Sequence, residues 1–143
     1  MTRPDLLPAG SGERLERFAA EFERLDASAY STFASQSEGD ADVRHTMAAA
    51  DAVIGTGPRR AAVREAVESF RDWAARAYSS RLVQTDTVLL FQSLVDRPDD
   101  RVRFAASLER VVVALILWDE LQADDRLVLL GPWQVMVERA VSS

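Results

Sequence analysis

Apolar residues recur along this chain at spacings of three and four, the repeat of one helix face, and no alternating strand pattern interrupts them. From Glu13 to about Phe33, Leu15, Phe18, Phe22, Leu25, Ala29 and Phe33 make one stripe, on a helix opened by Ser11 or Gly12. The polar run SQSEGDAD breaks it. A second helix is predicted from about Ala41 to Ile54, with Val43, Met47, Ala50 and Ile54 as its stripe and Gly55 as its C-cap. A third begins at Pro58, a natural first helical residue, carries Val63, Val67, Phe70, Ala74 and Ala77, and fades near Tyr78. A fourth, about Thr85 to Asp96, has Val83, Thr87, Leu90, Phe91 and Leu94 on one side. Two short helices close the chain, Asp124 to Leu130 and Pro132 to about Val141.

The stretch RVVVALILWDEL, Arg110 to Leu121, has no polar face at all. Its apolar run, Val111 to Trp118, is far short of the roughly 20 residues a membrane span needs, and Glu109, Arg110, Asp119 and Glu120 bracket it. Periodicity cannot separate strand from helix in so short a run; the flanks can. Pro98, Asp99 and Asp100 supply a helix start, and neither Gly nor Pro follows until Gly131, which predicts a helix from about Arg101 to about Gln122. The triplet Val111 to Val113 lowers helix propensity by a few tenths of a kcal/mol per residue, less than burial of one such side chain returns.

These elements predict an all-α fold, an antiparallel bundle of five to six helices around a central hydrophobic hairpin at about residues 85–122. Residues 1–12, with two prolines and two glycines and no secretory apolar core, read as a flexible arm, and 13–143 as a single helical domain. A helix apolar all round must be covered all round, and the other helices offer only single stripes. A homodimer is therefore expected, with Leu90, Leu94, Val112, Leu115 and Ile116 at its interface.

Charge and composition narrow the partners. The net charge of -6 is adverse to nucleic acid and to anionic lipid, since phosphate binding draws on Lys and Arg. Every basic residue is arginine, which carries no functional reading. Without cysteine there is no disulfide, thiolate nucleophile or zinc–thiolate site; with no secretory apolar core and no membrane-length apolar run, a cytoplasmic protein is expected.

Candidate chemistry is sparse. His45, the single histidine, lies three residues after Asp42 but nearly opposite the stripe of Val43, Met47 and Ile54, so it is expected in solvent; bundle metal sites point inward and need more than one such pair. No metal, cofactor or catalytic residue is assigned, and with His45 in solvent a nucleophile–base triad has no base. Glu65, Glu68 and Asp72 form a carboxylate row across the helix from Val63, Val67, Phe70 and Ala74, again facing water, where Asp72 can pair with Arg76. Trp73, Trp118 and Trp133 read as packing groups. The exception is GTGPRR, Gly55 to Arg60: Arg59 and Arg60 occupy a first helical turn, where the macrodipole disfavours cations. An anion held by the free N–H groups at Gly57 to Arg60 would remove the conflict; so would both arginines bending to neighbouring acids.

Two functions follow. The first is a non-enzymatic helical interaction or regulatory protein, a homodimer that can engage another protein. The second is a small-molecule binder or enzyme with an apolar interhelical pocket walled by Phe91, Phe104, Trp118 and Trp133, with Arg59, Asp119 or Glu120 as its polar group. The absence of an inward cluster of titratable residues favours the first.

Overall fold

The computed structural model describes residues 6–24, 40–84 and 98–142, with side chains apart from those at 40–44, 46, 75, 77–84, 98–105 and 132. Six helices pack together in it: α1 (Ser11–Arg24), α2 (Asp40–Ile54), α3 (Pro58–Gln84), α4 (Pro98–Ile116), α5 (Ala123–Leu130) and α6 (Gln134–Ser142). Short 3-10 turns, Trp118–Glu120 and Gly131–Trp133, join the last three, and the described residues contain no strand. None of these helices is long and apolar enough to cross a membrane. The helix expected at Thr85 to Asp96, with Leu90, Phe91 and Leu94, lies outside the described residues.

The boundary between α2 and α3 follows the local chemistry of GTGP. The Gly55 N–H closes α2 on the Asp51 carbonyl at 3.0 Å. Gly57, at φ +83°, takes the left-handed conformation that L side chains resist, turns the chain, and offers its carbonyl to the Ala61 N–H at 3.3 Å. Pro58 then opens α3. That helix runs on through the Tyr78 region to Gln84, past the point where the stripe fades.

Helix α4 is the centre. It packs against α1, α2, α3 and α5, and every side chain from Val111 to Leu117 is buried. The two ion pairs between α3 and α4 and the turn after it show the direction of packing. As α3 advances from Arg59 to Arg71, the partners run back from Glu120 to Glu109, so the two helices are antiparallel.

This cover corrects the expected interface. Val112 is 1% exposed and Leu115 and Ile116 are 0% exposed within one chain, so none of them can meet a second folded copy. Single stripes suffice because they converge from several sides. Phe18 and Phe22 come from α1, Val63, Val67 and Phe70 from α3, Leu129 and Leu130 from α5, and Met136, Val137 and Ala140 from α6. At about 1.5 to 3 kcal/mol for each large aliphatic fully buried, this convergence outweighs the propensity cost of Val111 to Val113 many times over.

Beside α4 lies an aromatic cluster. Phe18 meets Phe70 at 5.6 Å between ring centroids, Phe22 stacks on Trp133 at 6.3 Å, and Trp73 closes on Phe22 at 5.5 Å and on Phe70 at 5.2 Å. Trp133 is fully buried, and its indole N–H donates to the Ser107 hydroxyl at 2.6 Å, which satisfies the one polar atom of the ring. Arg110, expected to bracket the apolar run from outside, is instead buried with it.

Within the segment expected as an arm, Leu6 to Pro8 are partly buried and Ala9 and Gly10 are exposed. Leu7 packs against the core, and the buried Ser11 starts α1.

Candidate functional site

Among the described residues, two places gather groups that could do more than pack. The first is the C-terminus of α4, which stops at Ile116 rather than near Gln122. The last carbonyls of α4 and of the turn after it are claimed by side chains from elsewhere. Arg14 of α1 donates from Nε to the Leu115 carbonyl at 2.8 Å. The Ser11 hydroxyl lies 3.0 Å from the Ile116 carbonyl and 2.7 Å from that of Pro8, sharing one proton between them. Arg126 of α5 donates from Nε to the Trp118 carbonyl at 2.8 Å, and from Nη2 to the same oxygen. The backbone tightens accordingly, with the Glu120 N–H donating to the Leu117 carbonyl at 2.8 Å, three residues back. Leu121 then adopts an extended conformation and leads into α5.

Cations at the end of a helix complement its dipole, so Arg14 and Arg126 sit where the field favours them. Arg126 also lies 4.3 Å over the Trp118 ring, a cation–π contact. Gly10 makes room for this arrangement: its φ is +84°, and a Cβ there would stand 2.9 Å from Nη1 of Arg14. Among the sequence candidates, the structure thus brings Trp118, Asp119, Glu120 and Arg59 to one corner. Each charged group there is matched within the chain. Arg14 reaches Asp119 at 3.5 Å, and Arg59 is ion-paired with Glu120.

The GTGPRR segment meets this corner through Arg59. Arg60 turns the other way, donating to the Gly55 carbonyl at 2.6 Å and pairing with Asp51 at 3.2 Å. Both guanidinium groups therefore have partners within the chain, and neither stands over the open space in front of Gly57. Nε of Arg59 is buried without a hydrogen-bond partner among the described residues, but the side chain as a whole is about one-third exposed.

The second place was not visible in the sequence. A groove of about 610 Å³ lies between the N-terminal segment, α1 and α3. Leu7, Leu15, Ala19, Ala66, Phe70 and Trp73 form its apolar lining, while Glu16 and Ser69 are exposed polar residues on it. The groove exists because α1 and α3 meet through the rings of Phe18, Phe22, Phe70 and Trp73, and large side chains hold two helices apart. Small residues at Gly12, Ala19, Ala66 and Ser69 leave the space unfilled. Sequence reasoning could have noticed these small residues, but not that two of them face two others across a gap.

The chemistry available in the groove is limited. The Ser11 hydroxyl is spent on carbonyls, and Glu16 and Ser69 offer no nucleophile with an adjacent base. His45 is exposed on α2 and takes no part in the lining. Trp133, expected as a wall of any pocket, is in the core, and the side chains of Phe91 and Phe104 lie outside those described. Among the described residues no three His, Asp or Glu side chains gather as a metal site. No family model, curated protein or solved structure matches the chain.

Proposed function

We propose that this chain is a non-enzymatic helical interaction or regulatory protein, acting in the cytoplasm, that takes up an apolar segment of a partner in the groove between α1 and α3. The observation that carries the reading is the groove itself. It is open rather than enclosed, its lining is mainly apolar, and Trp73 lies half-buried in it. An amphipathic helix laid into such a groove buries its apolar stripe without needing convergent polar groups. Enzymes need those groups, and the polar residues here are on the exposed edge.

A small-molecule site is the second reading, favoured by a volume within the range of ligand pockets. The homodimer expected from the sequence no longer draws support from α4. The exposed large aliphatics among the described residues, Leu127, Val128 and Val135, are the surface left to it.

The test is chemical-shift mapping of the full chain with designed amphipathic peptides and, separately, with a small apolar fluorophore. Saturable peptide shifts confined to Leu15, Ala19, Ser69 and Trp73 support the interaction reading. Saturation by the fluorophore with no peptide binding favours the small-molecule reading, and shifts at Leu127, Val128 and Val135 on dilution would restore self-association.

A further inference from the structure

The rim of the groove is charged, and its sign narrows the partner. On α1, Glu16 belongs to the lining; Glu23, seven residues later and four after the lining Ala19, falls on the same helical stripe. On α3, Asp72 follows the lining Ser69 by three residues, and Glu65 immediately precedes the lining Ala66. Glu16, Glu23 and Asp72 are exposed, and among the described residues none of the three has a hydrogen-bond or ion-pair partner. The basic residues nearby are committed or turned away. Arg17 is paired with Glu13, Arg24 with Glu21 and Arg71 with Glu109. Arg76, one turn beyond Asp72, is the basic side chain that shares the α3 rim, at its end.

An apolar floor bordered by the unpaired Glu16 and Glu23 on α1, and by Asp72 beside Arg76 on α3, suits one kind of occupant. We infer that the groove receives a basic amphipathic helix, with its apolar stripe on Leu15, Ala19, Phe70 and Trp73 and its Lys or Arg flanks against Glu16 and Glu23 on one side and Asp72 on the other. The inference rests on the interaction reading above and adds the partner's charge to it. A second copy of this chain is a poor occupant, since it carries the same net charge of -6. An acidic amphipathic segment would place like charges against Glu16 and Glu23.

Three labelled peptides of about 18 residues test this, each with one leucine stripe and flanked by Lys, Gln or Glu. Fluorescence anisotropy against the full chain gives their affinities. The Lys peptide should bind about tenfold more tightly than the Gln peptide, and the Glu peptide more weakly than either. The Lys advantage should vanish in the triple variant Glu16→Gln, Glu23→Gln, Asp72→Asn and shrink at about 0.5 M salt. Ser69→Trp, an exposed substitution that fills the groove, should abolish binding of all three. Equal affinities for the three peptides, all blocked by Ser69→Trp, would overturn the basic partner while leaving the groove as an interaction site. Lys-peptide binding that survives Ser69→Trp would remove the groove from the account, and failure of every peptide to bind would remove both.

Discussion

Replacing Arg14 by methionine separates a helix-capping role from an ordinary surface ion pair. Methionine keeps the apolar stem of the side chain and deletes the guanidinium, leaving the Leu115 carbonyl without its 2.8 Å donor. The Arg14 side chain is only 12% exposed, so this is a charge-assisted hydrogen bond largely shielded from water, worth about 1.5 to 3 kcal/mol. Loss of a cation at the end of α4 adds about 0.3 to 1 kcal/mol. The Asp119 carboxylate is 70% exposed and 3.5 Å away, so that pair contributes no more than about 0.5 kcal/mol. Arg14→Met should therefore cost about 2 to 4 kcal/mol and Asp119→Asn about 0.5 kcal/mol or less. Urea unfolding followed by circular dichroism at constant slope reads the difference directly. At roughly 3 °C per kcal/mol for a chain of this size, the melting temperature should fall by about 6 to 12 °C for Arg14→Met alone. The loss should persist in high salt, which screens exposed pairs and leaves shielded ones. Gly10→Ala should reproduce part of it, because the added Cβ meets Nη1 of Arg14 and the backbone there has positive φ. An Asp119→Asn cost equal to that of Arg14→Met, or an Arg14→Met change within about 0.5 kcal/mol of zero, would refute the capping argument.

Val112→Arg should abolish the cooperative unfolding transition and the helical signal, rather than yield a folded chain of altered mass, because Val112 is covered by its own chain; light scattering with circular dichroism distinguishes the outcomes. Ser107→Ala should cost about 1 to 3 kcal/mol in urea unfolding by leaving the Trp133 N–H buried without its acceptor, and a change near zero would mean that water replaces the hydroxyl. Sulfate should raise the melting temperature of the wild type and of Arg59→Ala with Arg60→Ala equally, through general exclusion from the surface; a larger gain for the wild type would establish an anion site at Gly57, Arg59 and Arg60.

The sequence by itself determined the class of this fold and several of its joints. Phe18 and Phe22, and Val63, Val67, Phe70 and Ala74, fall at helical spacing and are buried, because a period of 3.6 residues admits no other way to put them on one side. The segment GTGP ends one helix and starts the next for reasons contained within four residues. Tertiary structure alone decided the rest. No local signal ends α4 at Ile116, where neither Gly nor Pro is present; the end is made by Ser11, Arg14 and Arg126, two of them about a hundred residues away in the chain. The cover of Val112, Leu115 and Ile116 was equally invisible, since each stripe read alone is too narrow and only their convergence on α4 closes the core. Arg59 and Arg60 look misplaced until Glu120 and Asp51 are beside them. The groove belongs to the same category. It is a distance between two helices set by the bulk of Phe18, Phe22, Phe70 and Trp73, and a sequence holds the side chains but not the gap they prop open.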